Sequence, residues 1–224
     1  MKGKLIIIEA GDGCGKATQT EQLYQHLKGE GRNVRKISFP NYESPSSALI
    51  KMYLNGDFGT RPEDVNPYAA SSFYAADRYT SYKQDWGRFY EEGGILIADR
   101  YTTSNMVHQA VKIQEEESRN AFLDWLWDLE FNKFGLPVPD AVLFLDMPPA
   151  FSRKLREGRA DKAGGSQPDI HERNERYLET CYESYLAVAK RYQWHTISCI
   201  QEGELKSIER IHQEVLCVVR RMLA

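Results

Sequence analysis

Nothing in the 224-residue chain approaches the roughly 20 consecutive apolar residues of a membrane span, so no membrane partner is expected. Cysteine is sparse. Cys14, Cys181, Cys199 and Cys217 stand apart with no C-x-x-C pair. That pattern excludes a thiolate zinc site and a disulfide framework, and it fits a reducing cytosol and a cytoplasmic protein. A charge surplus is also missing: 29 Lys and Arg against 32 Asp and Glu leave −3. A binder held to nucleic acid mainly by charge would carry a basic excess. The first apolar run, residues 5–8, is cut short by Glu9 and followed by no small-residue cleavage pattern. It reads as a strand rather than a signal peptide. No internal repeat is present.

What the chain does have is 42% hydrophobic and 12% aromatic residues, enough to build a core and to oppose disorder. Short β-rich runs at 5–9, 34–39, 95–98, 141–146 and 195–200 alternate with helical stretches at 16–29, 67–92, 120–134, 172–192 and 205–222. Strands separated by helices imply βαβ units. The expected fold class is therefore α/β, a five-stranded parallel sheet with helices on both faces, forming a single domain over 1–224. One stretch, about 153–172, holds Gly158, Gly164, Gly165 and Pro168 among Arg, Lys and Asp. It reads as a tolerated surface loop or as a mobile lid that closes over a ligand.

The first strand runs into Ala10-Gly11-Asp12-Gly13-Cys14-Gly15-Lys16-Ala17-Thr18 and then an amphipathic helix. That is the context of a P-loop. Small residues let backbone N–H groups crowd around phosphate oxygens, the helix N-terminus adds partial positive charge, and Lys16 reaches the β- and γ-phosphates. Gly11, Asp12, Gly13, Cys14, Gly15, Lys16, Ala17 and Thr18 are thus the candidate nucleotide cradle. The match to G-x-x-x-x-G-K-[ST] departs at Ala10 and at Ala17, which replaces the hydroxyl that usually meets Mg²⁺. A carboxylate at a neighbouring strand end, Asp99, is the natural substitute as metal ligand. Ligands of doubly wound sheets sit beyond the carboxyl ends of the strands. Attention therefore also falls on the residues from Phe39 to Tyr42, on Asp99-Arg100-Tyr101 and on Asp146.

These residues resemble the thymidylate kinase family of P-loop nucleoside monophosphate kinases over nearly the whole chain. Glu9 through Gln19 resembles E-G-x-D-G-x-G-K-[ST]-T-Q, and Phe39-Pro40 its F-P. Tyr74-Ala75-Ala76-Asp77-Arg78 is similar to F-x-A-[DN]-R. Asp99-Arg100-Tyr101-Thr102-Thr103-Ser104, with His108-Gln109 after it, resembles D-R-[YH]-x-x-S then Y-Q. Gly135 through Asp140 resembles G-L-P-x-P-D, and Leu143 through Asp146 resembles L-x-L-D. The resemblance implies a P-loop NTPase fold, ATP and Mg²⁺ as cofactors, small nucleotide substrates, a homodimer, and phosphoryl transfer from ATP to dTMP. It implies catalytic roles for Lys16, Asp12, Asp99 and Arg100. Tyr74 would stack on the base, Arg78 and Gln109 would meet its edge, Arg100 would hold the acceptor phosphate, and Asp12 would lie near the sugar. Phe39, Tyr42 and Ser104 complete the implied acceptor site. With Gly13 where some members place an arginine, the lid would supply the cation, with Arg159 the first candidate and Arg156 the second.

The segment after the second strand, Phe39-Pro40-Asn41-Tyr42-Glu43-Ser44, lacks the arginine the family commonly carries there. With Ala17 and His108, this leaves open a different deoxynucleotide or an unphosphorylated deoxynucleoside (a deoxynucleoside kinase) as acceptor, and Ala10 with Ala17 leaves open a nucleotide-binding homologue without turnover. A GTPase switch is excluded by the want of N-K-x-D; Asn132-Lys133-Phe134-Gly135 lacks the Asp.

Overall fold

The computed structural model describes residues 2–160 and 175–224, without the side chains between 156 and 175. Its strands are β1 (Lys4–Glu9), β2 (Val34–Ser38), β3 (Ile95–Asp99), β4 (Ala141–Asp146) and β5 (His195–Ser198). They pair in the order β2-β3-β1-β4-β5, every pair parallel. Leu5 to Ile8 and Leu96 to Ala98 are sealed from solvent. Both faces of the sheet are covered, which is why these strands read as unbroken apolar runs instead of alternating ones.

The helices are α1 (Lys16–Gly29), α2 (Ala48–Asn55), α3 (Pro67–Ser81), α4 (Gly87–Glu91), α5 (Thr102–His108), α6 (Glu116–Trp127), α7 (Pro149–Ala160), α8 (Glu175–Arg191) and α9 (Ile208–Leu223). One face of the sheet packs against α1 and α9 through Leu23, Leu27, Val215 and Val219. The other meets an aromatic core that includes Trp86, Tyr101, Phe122 and Tyr185.

The parallel sheet and the alternation agree with the sequence, but several elements differ in detail. The expected helix 67–92 is interrupted: a π-helical segment, Tyr82–Trp86, separates α3 from α4. Another, Asp128–Lys133, follows α6. The expected strand 195–200 stops at Ser198, and Ile200–Gln201 pairs antiparallel with Glu204–Leu205 in a separate small hairpin. Residues 153–160, read from composition as the start of a loop, belong to α7. The rest of the expected lid, 161–172, lies outside the described residues, as does the side chain of Arg159.

Chain order and sheet order together fix the site. β1 lies between β3 and β4, so the chain builds β2 and β3 on one side of it and then crosses to β4 and β5 on the other, which opens a crevice at its carboxyl end. The loops after β1, β2 and β3 converge there.

Candidate active site

Gly13 and Gly15 hold φ of 78° and 86°, a left-handed backbone that glycine adopts without steric cost. Those two turns carry the chain from β1 into the first residue of α1, Lys16. The Lys16 ammonium is buried and folds back on its own loop, donating to the carbonyls of Ala10 at 2.8 Å and Gly11 at 2.9 Å. Asp12 Oδ1 is 3.7 Å away. Burial and then the Arg100 charge push the lysine pKa down, against the pull of Asp12, Asp99 and Glu9. Cys14 is buried and Ala17 faces outward. Ala17 therefore offers no oxygen to a cation beside the loop.

Beyond the loop is a cavity of about 340 Å³. Among the expected residues, Asp12, Lys16, Phe39, Tyr42 and Tyr74 line it, as do Arg78, Asp99, Arg100, Ser104 and Gln109. Asp99 ends β3, and Arg100 follows with φ of 68°, a sparsely populated backbone for a residue with a Cβ. That turn aims Arg100 back over β1. Its Nη2 donates to Asp12 Oδ1, and its Nη1 to Ser104 Oγ at 3.2 Å. Burial works against the guanidinium charge, yet Asp12, Tyr185, Glu9 and Asp99 together hold its pKa well above the ordinary value.

Arg78, which also lines the cavity, is buried. Its Nε and Nη2 donate to the two oxygens of Glu130, each at 2.6 Å, and Nη2 also donates to Asn105 Oδ1 at 3.0 Å. Nη1 donates to no described residue. Gln109, which lines the same cavity, has a buried Oε1 that accepts nothing. A buried acceptor without a partner is costly, so this one is a place where a ligand would gain. Tyr74 is half-buried and meets Tyr53 edge-on, ring centroids 6.5 Å apart. Tyr42 is 47% exposed at the rim.

Several supporting residues had no role assigned from the sequence. Glu9 is fully buried and accepts from Thr103 Oγ1 at 2.6 Å, Ser104 Oγ at 2.8 Å and the Tyr185 hydroxyl at 3.2 Å. Burial raises its carboxyl pKa, and Arg100 offsets part of that. Asp77 accepts from the Asn41 amide at 2.8 Å and from Ser46 Oγ at 2.5 Å. It thereby pins the segment in which the family's arginine is missing. Glu130 and Asn105 hold Arg78 as described. The signal available for Glu130 was a single carboxylate inside the apolar run Leu129-Glu130-Phe131. Among the described residues, no cluster of three or more His, Cys, Asp or Glu side chains could hold a metal. No described helix is long and apolar enough to cross a membrane.

The family model for thymidylate kinase matches residues 8–215. The chain belongs to the thymidylate kinase family. Thymidylate kinase from Mycobacterium tuberculosis (strain ATCC 25618 / H37Rv) is 32% identical over 173 residues, 76% of this chain and 78% of the relative. That of Bifidobacterium longum subsp. infantis is 28% identical over 226 residues, covering 100% of this chain and 88% of the relative. A solved thymidylate kinase from Candida albicans superposes with a TM-score of 0.70 over 98% of this chain and 92% of its own, at 22% identity. That likeness supports the P-loop NTPase fold.

Proposed function

We propose that the chain transfers the γ-phosphoryl group of ATP to dTMP, giving dTDP. The observation that carries this reading is that Arg78, whose Nη1 donates to no described residue, and Gln109, whose buried Oε1 accepts nothing, line the same cavity as Lys16. A guanidinium only donates and a bare amide oxygen only accepts. Thymine presents O4 to the first and N3–H to the second. Cytosine presents an amine and a bare ring nitrogen, and both would be mismatched. Tyr74 supplies an aromatic wall for the ring.

The phosphate end supports a monophosphate acceptor over an unphosphorylated nucleoside. Arg100 stands at the cavity ion-paired with Asp12, and an acceptor phosphate would give its guanidinium a second, charge-assisted partner that an unphosphorylated nucleoside does not have. Phosphoryl transfer depends chiefly on positioning and charge neutralisation. In this reading the amides from Gly11 to Thr18 and the Lys16 ammonium hold the ATP phosphates. Arg100 holds the acceptor phosphate, with Ser104 at its guanidinium. Asp12 keeps Arg100 oriented and lies toward the sugar.

Mg²⁺, when bound, neutralises charge between the two nucleotides. Asp99 is the carboxylate suited to hold it, since Asp12 is committed to Arg100 and Ala17 has no side-chain oxygen. The lid's contribution, assigned to Arg159, falls to a side chain outside the described residues. We also assign the protein to the cytoplasm, as the four free cysteines suggest. We assign it a homodimeric state, for which Leu49 and Met52, three apart and exposed on α2, offer an apolar face.

A steady-state panel with Mg-ATP tests the reading, with dTMP, dUMP, dCMP, dGMP and thymidine as acceptors. dTMP is expected to give the highest kcat/KM. Preference for thymidine over dTMP, or no turnover with any acceptor, would refute it.

A further inference from the structure

His108, which stands where the family pattern has Tyr, is buried against the cavity wall and has contacts that define its chemistry. Its Nε2 lies 3.4 Å from Arg100 Nη1 and 3.3 Å from the Tyr185 hydroxyl. Its Nδ1 lies 3.4 Å from Cys181 Sγ. Its backbone carbonyl accepts from the Tyr177 hydroxyl at 2.6 Å. Tyr185 crosses the imidazole edge-on, with centroids 5.8 Å apart. The ring is thus held on several sides.

Guanidinium nitrogens have no lone pair to offer. The nitrogen facing Arg100 must therefore be the acceptor, and a neutral imidazole then carries its proton on Nδ1, toward the Cys181 sulfur. The Tyr185 proton is directed at Glu9 Oε2, which leaves the Nε2 lone pair to Arg100.

We propose that His108 is a positioning residue for the acceptor phosphate. As the neutral imidazole protonated on Nδ1, it holds the Arg100 guanidinium in place through Nε2. The proposal rests on the dTMP kinase reading for its kinetic consequence, but not for the tautomer. Arg100 has a long, flexible side chain whose ordering costs rotamer freedom, and it leaves a left-handed backbone position. Asp12 Oδ1, Ser104 Oγ and His108 Nε2 are the three acceptors that fix it. Protonating His108 removes one of them and sets a second cation beside the guanidinium. The other titratable groups around the ring are Asp12 and Arg100 from the loops after β1 and β3, Glu9 from β1 through Tyr185, and Tyr177, Cys181 and Tyr185 from α8. Lys112 is felt at Cys181. Burial holds the Cys181 thiol pKa far up, so its sulfur stays protonated and neutral beside Nδ1.

Two measurements on the full chain test this. Long-range ¹H–¹⁵N correlation spectra of the ligand-free protein at neutral pH, with His108 assigned by its loss in His108→Gln, should show the Nδ1–H tautomer. An Nε2–H tautomer or an imidazolium overturns the proposal, whichever acceptor the enzyme uses. In kinetics, His108→Leu should raise the KM for dTMP about tenfold, the scale of one lost charge-assisted contact, with the KM for ATP within about twofold. His108→Gln keeps an acceptor that cannot titrate. It should recover most of that loss and lack the acid-side fall in kcat/KM for dTMP expected of the wild type. A glutamine variant as impaired as the leucine variant overturns the proposal. So does a wild-type kcat/KM that rises toward acid, which would make the imidazolium itself a phosphate ligand. Failure of the wild type to phosphorylate dTMP would strike the function reading alone and leave the tautomer to decide the role of His108.

Discussion

Both oxygens of Glu130 accept from Arg78, each at 2.6 Å, and neither side chain is more than 2% exposed. Thr102 Oγ1 adds a third bond to the carboxylate at 2.7 Å. The pair joins α3 to the π-helical segment after α6, and it leaves Nη1 of Arg78, a residue that lines the cavity, without a bond to a described residue. Rigidity at Arg78 is therefore built from an element more than 50 residues away in sequence.

Removing the carboxylate should cost both stability and recognition. Glu130→Ala leaves a buried, uncompensated guanidinium, which typically destabilises by about 3–5 kcal/mol. Urea unfolding should show that loss. Glu130→Gln, which keeps the shape and some acceptor capacity, should fold better, yet raise the KM for dTMP more than that for ATP. Equal changes in the two KM values would mean that the pair serves packing alone.

Lys16→Ala addresses the phosphate loop. The ammonium is held by Ala10 and Gly11 carbonyls, within the loop itself, so its loss should leave the melting transition nearly unchanged. Removal of one preorganised donor aimed at developing charge commonly lowers kcat by about 10²–10³-fold, and a fall of that order is expected here. Turnover close to wild type would move the phosphate site away from this loop.

The parts of the site that were legible in the sequence are those with local signatures. Gly13, Gly15 and Lys16 are consecutive consequences of a strand-to-helix turn around phosphate, and Asp99-Arg100 follows an apolar strand directly. The parts that were not legible are residues whose work is done across the fold. Glu9 read as the stop to an apolar run and as the first residue of the loop motif, with no role of its own, although in the sheet it becomes the hub for Thr103, Ser104 and Tyr185. α5 was hidden because Thr102, Thr103, Ser104 and Asn105 have weak intrinsic helix preference. Their helix is held by burial and by bonds to Glu130 and Glu9. The break between α3 and α4 likewise carries no Pro, and its Gly87 reads as an ordinary helix residue.

Tyr74 separates a base-stacking role from a packing one. Its contact with Tyr53 gives it a share in the small cluster formed by Ile50, Tyr53 and Val65. Tyr74→Ala should nevertheless weaken dTMP more than ATP. The loss should be about 1–3 kcal/mol, the range for stacking a base on an aromatic ring, while Tyr74→Phe should bind dTMP nearly as well as wild type. Isothermal titration with each nucleotide decides it. A parallel loss for both, matched by a fall in melting temperature, would make Tyr74 a core residue.

Tyr53 leads to a pH effect remote from the chemistry. Its hydroxyl accepts from Lys112 Nζ at 2.9 Å, and the ammonium also donates to the Val65 carbonyl at 3.1 Å. Burial lowers the Lys112 pKa to about 8, with Glu63 opposing. In the unfolded chain the same lysine titrates near its ordinary value of about 10.4. Between these two values the unfolded state holds a proton that the folded state has released, so this group makes the protein more stable as pH rises through that window. Below about pH 8 both states are protonated and its contribution is flat. Thermal midpoints of wild type and Lys112→Met should therefore converge or cross in the wild type's favour between pH 8 and 10. The comparison must stop there, because Tyr101, Tyr177 and Tyr185, all raised by burial, begin to act in the opposite sense above pH 10. A difference between the two proteins that stays constant over the window would show that Lys112 keeps its proton in the folded state.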